Sequence, residues 1–125
     1  MTPQFFTLAM CQKLSSLAPG FEGHWYWYSE YDIKKEKKKV PRGEPWVMCI
    51  EAEAGGNSIG EFTGMRICPA WAVEDVLWNI EKIFPKLVYS PQIYVVAREI
   101  VTPILDNTPD TAYQKIEEYL WTILK

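Results

Sequence analysis

The sequence predicts an α+β fold: a curved antiparallel sheet built around a long-loop hairpin and packed by an N-terminal, a middle and a C-terminal helix. Three observations lead there. Apolar residues recur three or four apart near both ends and in the middle of the chain, the period of helices with one buried face. Between the first two of these stripes lie two aromatic-rich segments, "HWYWYSEYD" and "WVMCIEAE", which divide at period two into one strongly apolar face and one that turns acidic. With 125 residues, 48 % of them apolar and 23 % charged, the chain fits a single domain, 1–125, around one core.

Thr2-Pro3 reads as a helix start, with threonine as the N-cap and proline in the first turn. Phe6, Ala9, Met10, Leu14 and Leu17 follow as an amphipathic stripe, and Pro19-Gly20 ends it. His24 to Asp32 is rich in β-formers. Trp25, Trp27, Ser29 and Tyr31 share one face there; His24, Tyr26, Tyr28, Glu30 and Asp32 share the other. A second strand is expected over Trp46 to Glu53, with Trp46, Met48, Ile50 and Ala52 opposite Val47, Cys49, Glu51 and Glu53. The connection from Ile33 to Pro45 is long for a hairpin.

Gly55-Gly56-Asn57 marks a turn, and "SIGEFTGMRIC" reads as a third strand interrupted by Gly60 and Gly64. Pro69 opens the middle helix, whose stripe is Val73, Val76, Leu77, Ile80 and Ile83 and which Pro85 stops. Two readings compete over residues 90–104. Ile93, Val96, Ala97, Ile100, Val101 and Ile104 match a helical face capped by Ser90-Pro91. The β-branched content and an internal Pro103 favour one or two strands instead, which is the expectation. Thr108-Pro109-Asp110 starts a last helix with Ala112, Tyr113, Ile116, Leu120, Ile123 and Leu124 inward. Periodicity thus assigns Trp25, Trp27, Trp46, Ile50, Leu77, Ile80, Ile116 and Leu120 to the core.

From Pro69 onward, "PAWAVEDVLWNIEKIF", a β-rich stretch and "TPDTAYQKIEEYLWTIL" resemble a layout found in small uncharacterised proteins of bacterial phages and mobile elements. That layout is a helix ending in an apolar repeat, then a strand, then a helix of the Thr/Ser-x-x-x-Ala kind. The resemblance covers less than half of the chain and implies no catalytic residue. The N-terminal helix and the aromatic hairpin lie outside it.

Composition narrows the function classes. No apolar stretch approaches the roughly 20 residues of a membrane span, and no basic region precedes the first apolar residues, so a soluble, cytoplasmic protein is expected. Cys11, Cys49 and Cys68 are an odd, widely spaced set without a CxxC pair, and His24 is the only histidine. Free thiols are expected, and neither a zinc set nor any other metal site. No glycine-rich phosphate loop is present, so no cofactor is expected, and "GNSIG" is not expected to act as a nucleophile elbow.

Charge is uneven. Lys34, Lys35, Lys37, Lys38, Lys39 and Arg42 face only Glu36 and Glu44 within residues 34–44, a local +4 that leaves −7 for the rest of a chain at −3. Tyr26, Tyr28 and Tyr31 with Lys37, Lys38, Lys39 and Arg42 are the candidate binding residues. Aromatics beside a basic track are the means by which single-stranded nucleic acid is held. Glu30 and Asp32 share the tyrosine face, however, and repel phosphate where bases would stack. Other candidates are catalytic. Cys68, two residues past Arg66 and ahead of a helix start, has the setting of an activated thiol. Glu51 and Glu53, beside Glu30 and Asp32, would form an acidic strand face suited to paired-carboxylate or cation chemistry. His24 reads as a partly exposed strand-end residue.

The reading these observations favour is a non-enzymatic module that binds a protein partner, or itself as a homo-oligomer, through aromatic surface near the hairpin. Single-stranded nucleic-acid binding through the basic loop 34–42 is one alternative. A small hydrolase using Cys68 or the acidic strand face is the other.

Overall fold

The chain clusters into two compact units, one of Gly20–Ala70 and one of Met1–Pro19 with Trp71–Lys125. The computed structural model describes residues 4–32, 40–56 and 64–124, without the side chains of 31, 32, 40–42 and 54–56. Among the described residues the fold is α+β, with six α-helices and a three-stranded antiparallel sheet ordered β2-β1-β3.

The sheet unit is built on β1 (Trp25–Asp32), β2 (Val40–Cys49) and β3 (Gly64–Pro69). β2 begins six residues before the expected Trp46, so the hairpin connection shortens to residues 33–39. A bulge makes this possible. Tyr28 pairs with Trp46 but Glu30 pairs with Arg42, so Gly43, Glu44 and Pro45 all stand opposite Ser29. Gly43 takes φ 77, a left-handed conformation that glycine adopts without strain, and Pro45, which has no N–H to give to a ladder, sits in the bulge. A second irregularity, between Trp27 and Tyr28 on the β3 side, leaves Ile67 extra.

Burial on β1 does not follow period-two alternation. Tyr28 and Ser29 are neighbours, yet both are buried, whereas Trp25, Trp27 and Trp46 are only half-buried. The tryptophans expected in the core are thus half-buried, and it is Tyr28 that is buried, stacking on Trp46 at 6.3 Å between ring centroids. β2 also stops early. Ile50–Gly56 is a short helix, α2, rather than the end of a strand, and the Ile50 N–H donates to the His24 carbonyl.

In the helical unit, α1 (Leu8–Leu17) starts later than the expected Thr2, which lies outside the described residues. Thr7 is the N-cap, and its hydroxyl accepts from the Met10 N–H. Met10, Cys11 and Leu14 are buried, as three-and-four spacing requires. Pro69 closes β3 instead of opening a helix, so the middle helix begins only at Val73. It is also split, into α3 (Val73–Trp78) and α4 (Ile80–Ile83), because Asn79 turns its side-chain amide onto the Asp75 carbonyl at 2.8 Å. Leu77 and Ile80 flank this break and are half-buried, not core. Asp75 Oδ2 accepts from the Ala72 N–H at the start of α3.

The largest correction concerns residues 90–104, which form a helix, α5 (Gln92–Asp106), and no strand. Ser90 Oγ accepts from the Gln92 N–H, and Val96 and Ile100 are buried on the face that packs with α6 (Pro109–Ile123). Tertiary burial of that stripe outweighs the modest helix penalty of β-branched side chains. Pro103 sits inside the helix with its own carbonyl held by the Asn107 amide at 2.9 Å. On α6, Ala112, Ile116 and Leu120 are buried as expected. Tyr113 joins segments: its hydroxyl donates to the Gln4 carbonyl and accepts from the Val73 N–H, both at 3.1 Å.

Candidate functional site

The hairpin residues come first. Tyr28 is fully buried, and its hydroxyl donates to Glu53 Oε2 at 3.0 Å. Arg66 on β3 donates to the same oxygen from Nε at 3.0 Å and reaches it from Nη2 at 3.0 Å. The Arg66 guanidinium also lies 4.8 Å from the Tyr26 ring centroid. Burial, then the Glu53 hydrogen bond and charge, push the Tyr28 hydroxyl above its ordinary range; the Glu53 hydrogen bond raises Arg66. The cluster is internally satisfied. It ties α2 to the sheet and leaves neither Tyr28 nor the covered side of Tyr26 free to stack a ligand.

Tyr31 lies opposite Pro41, and Arg42 opposite Glu30, with side chains outside the described residues. Lys37, Lys38 and Lys39 lie outside them altogether. The acidic strand face does not form, because Glu51 and Glu53 belong to α2. Glu51 instead meets the exposed His24, with Nδ1 and Oε1 3.4 Å apart. The three cysteines are free thiols. Cys68 lies in a strand, away from any helix N-terminus, and burial pushes its thiol up to about 11, so it stays protonated near neutral pH.

Gly56-Asn57-Ser58-Ile59-Gly60 does carry the G-x-S-x-G spacing. That motif needs a strand before the serine and a helix after it. Here α2 precedes and β3 follows, the reverse order, and residues 57–60 lie outside the described set. Among the described residues no group of three His, Cys, Asp or Glu side chains could hold a metal, and no helix is long and apolar enough to cross a membrane.

The exposed aromatic surface is in the helical unit. Trp78 at the end of α3 is 88 % exposed, Tyr94 on α5 78 %, and Leu105 on α5 77 %. Tyr89 is fully exposed at φ 67, a left-handed backbone that costs a side-chain-bearing residue about 1–2 kcal/mol. The same unit carries two grooves. One of about 360 Å³ runs between α3, α5 and α6, lined by Val73, Leu77, Val101, Ile104, Ala112 and Tyr113, with Glu74 at its edge. Trp78 stands one helical turn from Glu74. The other groove, about 510 Å³, lies between α1, the Phe84–Leu87 turn, α5 and α6.

Sequence reasoning missed Tyr94 and Leu105 because it laid residues 90–104 out as strand. Trp78 carried a signal that was there to be read: it falls off the Val73, Val76, Leu77 stripe, where a polar residue is the rule. Neither a family model, nor a curated protein, nor a solved structure matches the chain.

Proposed function

We propose that the protein is a non-catalytic association module whose partner is a second copy of itself. The observation that carries the reading is that the helical unit exposes an indole, Trp78, next in sequence to Leu77, which lines an apolar groove of about 360 Å³. In a two-fold interface residue i of one copy meets residue j of the other and the reverse, so a knob and a hole carried by one copy are satisfied twice. Large exposed apolar patches on soluble domains mark association sites.

Magnitudes support a weak dimer. An indole buries roughly 150–250 Å², which at about 25 cal/mol per Å² gives on the order of 4–6 kcal/mol for each Trp78 docked. Two such knobs compete with an association cost of about 4–15 kcal/mol, so Val101 and Leu105 on α5 must contribute as well. A micromolar dissociation constant requires about 8 kcal/mol net, which the two indoles reach only with that added contribution.

Sedimentation equilibrium tests this. The wild-type protein should dimerise between ~1 and ~100 µM, and Trp78→Ala and Leu105→Glu should both stay monomeric with unchanged far-ultraviolet dichroism. A wild-type protein that is monomeric at ~100 µM overturns the proposal. So does a Trp78→Ala variant that dimerises like wild type.

A further inference from the structure

The second groove differs from the first in its polar groups. Its floor is apolar, with Phe84, Val96 and Leu124 almost wholly buried. Four polar side chains line it: Lys13, Lys86, Gln92 and Tyr119. Among the described residues none of them has a side-chain hydrogen bond or ion pair. Among the described residues no carboxylate lines the groove. Burial, with the Glu99 charge second, raises the Tyr119 hydroxyl above its ordinary range, so it remains a donor. A volume of about 510 Å³ is within the range of small-molecule sites, roughly 300–1,000 Å³. Apolar walls with two lysines, and no carboxylate among the described lining residues, define the ligand chemistry as anionic and amphiphilic.

We infer that this groove binds a free medium-chain fatty carboxylate, its hydrocarbon against Phe84, Val96 and Leu124 and its carboxylate between Lys13 and Lys86. The charge pattern selects the anion: a neutral amphiphile leaves both ammonium groups unpaired, and a cationic one is repelled by them. Burial against the apolar walls favours the longer chain, since each methylene taken out of water strengthens binding about fourfold.

Decanoate below its micelle concentration is the probe, followed by the amide shifts of the full-length protein. Saturable shifts confined to Leu17, Val95, Val96, Ile123 and their neighbours are expected. Octanoate, two methylenes shorter, should bind about fifteenfold more weakly. The double variant Lys13→Gln, Lys86→Gln removes two side chains without internal partners and should fold normally. It should lose at least about fivefold in decanoate affinity while 1-decanol affinity is unchanged. Shifts scattered outside the groove, equal affinity for decanol and decanoate, or full decanoate binding by the double variant would each overturn the inference. Cosedimentation with phosphatidylglycerol vesicles, in the absence of any response to free decanoate, would assign the lysines to a membrane surface instead and overturn it too.

Discussion

Removing the Glu53 carboxylate should cost more than removing the Tyr28 hydroxyl that donates to it, and the two losses should not add. Tyr28 is fully buried with its hydroxyl 3.0 Å from Glu53 Oε2, and Arg66 holds the same oxygen from two nitrogens. In Tyr28→Phe the carboxylate keeps its guanidinium partner, so nothing is stranded. The loss is one hydrogen bond to a charged acceptor, about 1.5 kcal/mol. In Glu53→Ala the exposed Arg66 turns to water, and the ion pair given up contributes at most about 1 kcal/mol. The buried Tyr28 hydroxyl, however, loses its Glu53 acceptor, which costs about 1–3 kcal/mol. A total near 3 kcal/mol is expected for Glu53→Ala. The double variant has no stranded hydroxyl and should lose about 2.5 kcal/mol, against about 4.5 kcal/mol if the singles were independent. Urea unfolding of the four proteins near pH 7, fitted with a common slope, measures the coupling of about 2 kcal/mol. Additivity to within about 0.5 kcal/mol would show that the Tyr28 hydroxyl is solvated in solution and that the latch does not hold α2.

Other substitutions separate the core from its margins. Ile116→Ala, at a fully buried position on α6, should cost about 2–5 kcal/mol, and Leu77→Ala, half-buried beside the Asn79 break, less than half as much; equal losses in urea unfolding would refute the burial pattern. Tyr89→Gly removes a left-handed side-chain-bearing residue that is fully exposed, so thermal unfolding should shift up by about 0.5–1 kcal/mol in stability, and a loss would mean that the ring docks on something. Cys68 should alkylate slowly near neutral pH and accelerate about tenfold per pH unit until the thiol ionises at about 11, so a rate plateau below pH ~9 would contradict its burial. Because the native state keeps that proton while the unfolded chain releases it near 9.0, stability should decline as pH rises from 9.0 towards about 11.

Local signals carried some elements and failed at others for identifiable reasons. α1 and α6 were legible because their buried positions, Met10 and Leu14, then Ala112, Ile116 and Leu120, follow helical spacing without interruption. α5 was not, because Val95, Val96, Ile100 and Val101 are β-formers and Pro103 is a breaker. What decides for helix is burial against α6, together with the Ser90 and Asn107 side-chain bonds at either end. β2 was misplaced for the opposite reason. Gly43 and Pro45 look like loop residues, and the strand passes through them by bulging. Tyr28 and Ser29 are adjacent on β1 and both buried, so whether Tyr28 meets solvent or the interior could not be read from alternation alone.

The choice of site turns on a comparable point, visible in two tryptophans seven residues apart. Trp71 and Trp78 both belong to the segment read as the middle helix, and neither lies on its apolar stripe. Trp71 is fully buried because its indole N–H donates to Ser15 Oγ at 2.9 Å and its backbone N–H to Cys11 Sγ at 3.2 Å, both on α1. Those partners lie about sixty positions away in sequence, beyond the reach of any periodicity. Trp78 has no such acceptor among the described residues, and an indole buried without one incurs the cost of an unpaired donor. It stays outside, next in sequence to Leu77 of the apolar groove. Acceptors do not decide burial alone, since the Trp27 indole nitrogen is buried without a partner among the described residues; for Trp71 it is the two contacts on α1, about sixty positions away, that local periodicity does not reach.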